Sequence, residues 1–213
     1  MVLSSLKAWR NKGLPMAIAG SLNLHQQLDI LGISRKLLSG LNTMKLMPFN
    51  QQASEELITR LLKGKRHDWW TTAITEKLLD LMPDHVPFFI QYAFNVVVIA
   101  ACKTPESLEQ VYHNEIMPGL FTDFVYQFEE RLQVFKGDAL NNTMKALDIV
   151  AIHKTISLQI LQEELGDNFD YATLVRLMDF EFLYLTGKQE YTFTLNILRN
   201  WWLNKRNLEE QAI

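Results

Sequence analysis

Phe182-Leu183-Tyr184-Leu185-Thr186-Gly187-Lys188-Gln189-Glu190-Tyr191-Thr192-Phe193-Thr194 is the stretch that decides the fold of the C-terminal third. Two short runs rich in aromatic and β-branched residues flank a Gly-containing turn, the pattern of a β-hairpin. Reading back from it, apolar spacing predicts helices over 171–178, 157–165 and 141–153, joined by short turns. Reading forward, 196–205 predicts a closing helix. Three helices followed by a hairpin is the order of a winged helix, an elaboration of helix-turn-helix.

Upstream of a boundary near Lys136-Gly137-Asp138, the pattern is helical for a long way. The spacing predicts helices over 51–63, 71–82 and 88–101, with Pro87 at the start of the third, where a missing N–H costs little. Thr104-Pro105 predicts another start, with the hydroxyl as cap and Pro at the first helical position. Residues 121–135 read as one aromatic-rich amphipathic helix. Before Asn50 the chain differs. Leu14 to Ala19 is a continuous apolar run closed by Gly20-Ser21, which suits a strand buried on both faces of a parallel sheet. Met44 to Met47, stopped by Pro48, reads as a second short strand. The expectation is therefore a mainly α (α+β) chain. Residues 1–49 would be the remnant of a parallel α/β core with two short strands, 50–136 a helical lid and 139–213 a winged helix.

The bulk properties exclude several classes. The 213 residues are 48% hydrophobic, enough for a real core, and the net charge of −3 gives no general pull toward nucleic acid or an anionic membrane. The single cysteine, Cys102, rules out an internal disulfide and fits a reducing, cytoplasmic compartment. The N-terminus carries no uninterrupted apolar run after a basic start, so no signal peptide is expected. The most apolar window, 86–101, is interrupted by Gln91 and Asn95 and falls short of the ~20 residues of a membrane span.

Catalytic motifs are missing. A phosphate-binding loop needs G-x-x-x-x-G-K-[ST], because glycine amides cradle phosphates while Lys and a hydroxyl manage charge and Mg²⁺. Gly64-Lys65 is followed by Arg66 and preceded at the required position by Thr59. Gly187-Lys188 is followed by Gln189 and lies in the hairpin turn. His25, His67, His85, His113 and His153 show no metal-ligand spacing. Cys102 closes an apolar helix, which favours a packed thiol over a nucleophile. Gly20-Ser21 carries two readings that can coexist. The hydroxyl would sit at the carboxyl edge of a sheet, where open α/β folds bind ligands, or it would cap a helix starting at Leu22.

Met16-Ala17-Ile18-Ala19-Gly20-Ser21, followed by Leu22, Leu24 and His25, resembles the strand-Gly-Ser segment of prokaryotic AAA-like ATPases of the STAND and archaeal-ATPase type, where it is the sensor-1 strand. Leu41-Asn42-Thr43-Met44-Lys45-Leu46-Met47-Pro48 is similar to the next strand of that family. Val86-Pro87-Phe88-Phe89-Ile90-Gln91 resembles its lid motif, Phe128-Glu129-Glu130-Arg131-Leu132 a later helix carrying Arg-Leu, and Leu198-Arg199-Asn200-Trp201-Trp202 the close of its winged helix. Thr43 stands where the family usually has an acid. The resemblance implies that Ser21, Pro87 and Gln91 lie near a nucleotide. The family's phosphate loop and acidic metal-binding strand are absent from this sequence. The resemblance therefore implies descent from an ATPase, not activity. The expected function is a regulatory or protein-interaction module, not an enzyme. ATP and Mg²⁺ would enter only if the missing core is supplied in trans, as in a split gene.

Two rivals remain. A winged helix that binds duplex DNA would need cations for phosphates. From Leu140 onward there are seven Lys and Arg against ten Asp and Glu. The one available cluster is Lys188 with Arg199, Lys205 and Arg206, so a protein partner is favoured over nucleic acid. A small-molecule enzyme using Ser21 and His25 would need a deep pocket joining them. Of the aromatic residues, Trp69 and Trp70 cannot both face inward on one helix, so one is expected to be exposed or at an interface.

Overall fold

The computed structural model describes residues 46–64 and 67–209, with a few scattered positions before residue 46. The first helix, α1 (Gln51–Leu62), starts where the Asn50 side chain accepts from the Ala53 amide at 2.8 Å. It turns Ser54 and Ile58 inward. Helix α2 (Thr72–Leu81) is capped by Thr71 and buries Ile74, Leu78 and Leu79. Helix α3 (Pro87–Ile99) is apolar almost all round, and Phe89, Ile90, Ala93, Phe94 and Val97 make it the centre of the helical unit.

Helix α4 (Pro105–Val111) opens with a reciprocal capping box between Thr104 and Ser107. It runs into a π-helical turn, Tyr112–Ile116, and then α5 (Met117–Asp123). Pro118 explains the widened turn. Inside a regular helix its ring would press on the carbonyl four residues back. Here the Met117 amide instead reaches the Tyr112 carbonyl, five residues back.

The helix expected over 121–135 is broken: α5 stops at Asp123, and α6 spans Tyr126–Leu132. The aromatic stripe serves two cores. Phe121 and Phe124 pack against both, whereas Val125, Phe128, Leu132 and Phe135 belong to the second.

The second core belongs to the C-terminal unit. Helix α7 (Asp138–His153) leads into strand β1 (Thr155–Ser157), α8 (Leu158–Leu165) and α9 (Tyr171–Asp179). The hairpin β2 (Leu183–Leu185) and β3 (Glu190–Phe193) follows, then α10 (Asn196–Arg206). The sheet is antiparallel in the order β1-β3-β2, with Ile156 opposite Tyr191 and Tyr191 opposite Leu185. Strand β1 was not expected, because its three residues carry no run that periodicity would mark.

The strand expected over 14–19 lies outside the described residues apart from Pro15, which is irregular. Of the second expected strand, Leu46 and Met47 are irregular and exposed. Trp69 and Trp70 are not on a helix. They form a turn just before the Thr71 cap, where both are half-buried against the helical core. Trp70 lies 4.9 Å from Phe94, centroid to centroid, and its indole N–H donates to Thr75 Oγ1 at 2.9 Å.

Candidate functional site

Of the residues that the ATPase resemblance places near a nucleotide, Ser21 lies outside the described residues, as does His25. Pro87 occupies the first position of α3, where its missing N–H leaves no interior gap. Gln91 is exposed one turn later, and Phe88 beside it is 49% exposed while its ring meets Phe124 at 6.1 Å. Pro87 and Gln91 thus share one end of one helix, with an aromatic ring held between solvent and core.

The cations of the C-terminal unit do not form a free cluster. Arg199, expected at the surface, is only 5% exposed, which corrects that expectation. Its Nε donates to the Ala151 carbonyl at 2.7 Å, in the last turn of α7. The reason is structural: the final carbonyls of a helix have no partner within it, and a guanidinium supplies one. Arg206 makes a two-pronged contact with Asp148, Nε to Oδ1 at 3.0 Å and Nη2 to Oδ2 at 2.9 Å. That hydrogen-bonded carboxylate holds the guanidinium above its ordinary pKa. Lys205 pairs with Glu129 and lies 4.8 Å from the Trp201 ring centroid. Lys188 alone sits in the exposed hairpin turn, its amide donating to Thr186 Oγ1 at 3.3 Å. With Arg199 buried and Lys205 and Arg206 facing carboxylates, three of the four cations of this expected cluster are engaged within the fold rather than open to a phosphate backbone.

Between the two units lies a cavity of about 240 Å³, lined in part by Asp80, Pro83, Asp84, Tyr112, Asn196 and Asn200. Tyr112 is mostly shielded there. Burial, helped by the nearby Asp84 carboxylate, pushes its phenol up to about 12, so it stays a neutral hydroxyl at any physiological pH. Asp84 was not singled out from sequence, yet it is the best-connected carboxylate of the joint. Oδ1 accepts from the Asn196 amide at 2.7 Å and from Asn196 Nδ2 at 2.9 Å, and Oδ2 accepts from the Ile197 amide at 2.9 Å. One sequence signal existed: Leu195, the residue before α10, has no oxygen with which to cap it.

Cys102 is buried, and that burial raises its thiol pKa, as expected of a packed rather than a nucleophilic cysteine. Among the described residues no cluster of three or more His, Cys, Asp or Glu could hold a metal ion, and no helix is long and apolar enough to cross a membrane.

No protein-family model matches the sequence, and no curated protein matches it. Among solved structures, the fold is similar to that of a Walker-type ATPase of Pyrococcus abyssi, with a TM-score of 0.61 and 14% identity. The similarity covers 84% of this chain and 49% of that one, so the chain spans about half the length of this relative. At such an identity the likeness is one of fold. The chain has an ATPase-related fold, mainly α with a small antiparallel sheet.

Proposed function

We propose that this chain is the helical lid and winged-helix portion of an AAA-like or STAND-type ATPase, serving as a regulatory or protein-interaction module and not as an enzyme by itself. The observation that carries the reading is the fold shared with half of a Walker-type ATPase chain. Two others support it. The order α7-β1-α8-α9-β2-β3 is that of a winged helix. The sequence contains no G-x-x-x-x-G-K-[ST] loop.

The chemistry follows from what that loop does. Phosphoryl transfer is mostly positioning and neutralisation of charge. Without a glycine cradle, its Lys and the Mg²⁺ ligands, these residues cannot wrap a triphosphate. ATP and Mg²⁺ would be held only with a phosphate loop from another part of the same protein or from another chain, as a split gene would provide. Ser21 would then orient water or the γ-phosphate, with Pro87 and Gln91 at the nucleotide's edge. A cytoplasmic setting goes with this reading.

For the winged helix, a protein partner fits better than duplex DNA. Helix α9 opens at Asp170, Arg199 is buried, and Lys205 and Arg206 already face carboxylates. Two measurements test the proposal. Incubated alone with ATP and Mg²⁺, the purified chain should release phosphate no faster than a protein-free blank; sustained turnover would end the reading. In a gel shift with duplex DNA, no complex is expected at low micromolar protein and moderate salt. A salt-sensitive complex there would make the DNA-binding reading the better one.

A further inference from the structure

We infer that Asp84 is a latch that closes the C-terminal unit onto the helical unit, and that its release lets the C-terminal unit turn about Phe124–Val125. The joint supplies the reasons. A helix leaves its first amides without internal partners, and these ordinarily take a side-chain oxygen from the residue just before the helix. Helix α10 has Leu195 there, which has none. Asp84, 112 residues away in sequence, provides both oxygens instead and accepts from Asn196 and Ile197. Its negative charge also sits favourably at the positive end of the helix.

The turn that carries Asp84 is itself anchored to the helical unit. His85 holds a left-handed backbone (φ 47°), and its amide donates to the Met82 carbonyl at 3.1 Å. Its carbonyl accepts from the Phe49 amide at 3.0 Å, and its ring Nδ1 lies 2.9 Å from Ser54 Oγ. The Ser54 hydroxyl gives its one proton to the Asn50 carbonyl, so the imidazole N–H is the donor in the last contact. Asp84 therefore projects from a rigid mount rather than from a loose loop.

On the other side of the joint, the apolar contact comes from Leu195 and Ile197. Ile197 is the residue of α10 buried in the core of the helical unit, and the cavity of about 240 Å³ lies beside it. The chain connects the two units at Phe124–Val125, where α5 gives way to α6 and the core residues change allegiance. Beyond the covalent hinge, the joint is held at its far edge by this carboxylate and by the apolar contact of Ile197 and Leu195. The carboxylate carries its polar bonds, so the unit swings more freely when the carboxylate lets go. This device follows from the joint alone and stands whether or not the chain serves an ATPase.

The test uses spin labels on cysteines introduced at Gln52 in α1 and Lys188 in the hairpin turn, both exposed, in a Cys102→Ala background. Electron–electron distance measurement should give one narrow distribution for the parent. Asp84→Ala should broaden it at least twofold and add a longer-distance population, with the far-ultraviolet dichroism unchanged. Hydrogen exchange at the Asn196 and Ile197 amides should quicken more than tenfold. If exchange quickens while the distance distribution stays narrow, Asp84 is a helix cap and nothing more, and the latch is wrong. If Asp84→Ala does not fold, the isosteric Asp84→Asn decides. It should broaden the distribution less but in the same direction, and an unchanged distribution overturns the proposal.

Discussion

The helical unit and the C-terminal unit hold themselves together by different means. In the helical unit the contacts between elements are mainly apolar and aromatic, such as Trp70 on Phe94 and Phe89 on Phe124, while the side chains of Asn50, Thr71 and Thr104 cap helix starts. Ser54 with His85 and Lys77 with Glu109 are polar contacts that do cross it. In the C-terminal unit, cations and an indole reach across the fold. Arg199 donates to the Ala151 carbonyl, Arg131 to the Phe180 carbonyl at 2.9 Å, and Trp202 to Asp148 at 2.9 Å. Ala151 lies in the last turn of α7, and Phe180 is the residue closing α9. Both arginines thus satisfy helix C-terminal carbonyls, where a positive charge is also favoured by the helix dipole. The lesson concerns function: of the cations that looked available in the sequence, Arg199, Lys205 and Arg206 are used inside the unit, and Lys188 stays in the exposed turn.

The largest effect is expected from removing the biggest buried side chain of the C-terminal unit. Trp202 is fully buried and its indole N–H is bonded to Asp148. Trp202→Ala should destabilise the C-terminal unit by about 3–5 kcal/mol, the usual cost of emptying a large aromatic site. Urea unfolding followed by near-ultraviolet dichroism would read it. A loss below about 1 kcal/mol would mean that the unit's stability does not reside in this core.

Arg199 is the next test, because it separates a structural cation from a binding one. Arg199→Ala leaves the Ala151 carbonyl buried without its donor and should cost about 1–3 kcal/mol. Retention on a heparin column should not change. A variant that keeps its stability but loses heparin retention would return Arg199 to the surface role that the sequence suggested.

Much of this architecture was legible before the fold was seen, and the failures share one cause. Thr104-Pro105 marked a helix start, and the capping box formed there. The hairpin was readable from its own residues, because β-branched and aromatic runs around a turn are local signals. What stayed hidden depends on partners far along the chain. Asp84 meets Asn196 across 112 residues. Arg199 meets Ala151 across 48, and a charged residue is by default assigned to the surface. The break at Phe124 was hidden because an aromatic stripe at helical spacing does not tell how many cores it serves. Of the residues that the resemblance places near a nucleotide, Pro87 was legible as a helix start; Gln91 lies on the same helix end, but nothing in periodicity gives it a ligand.

A smaller effect is expected in the helical unit. Ser54 is fully buried, with its hydroxyl donating to the Asn50 carbonyl and accepting from His85. Ser54→Ala should cost about 1 kcal/mol, a typical net value for one hydrogen-bonded pair. Chemical denaturation would measure it, and a loss as large as that of Trp202→Ala would show that this unit too is governed by a polar fastener.

The smallest effect should come from an exposed cap of the C-terminal unit, and its sign is fixed by the direction of a pKa shift. Asp170 caps α9, accepting from the Thr173 hydroxyl at 2.9 Å, the Ala172 amide at 2.9 Å and the Thr173 amide at 3.2 Å. These bonds, the Thr173 hydroxyl foremost, favour the ionised form and hold the carboxyl below its ordinary range. A carboxyl whose folded pKa is depressed adds stability that is complete above its unfolded value of about 3.9 and is lost as pH falls through the lower, folded value. Asp170→Ala should therefore lower the melting temperature modestly at pH 7, and the gap to the parent should close as pH drops below about 4. Melting curves of both proteins between pH 7 and pH 2.5 would show it. A gap that stays constant across that range would mean that the cap acts through its shape alone, and that charge at this helix start contributes nothing to holding the C-terminal unit together.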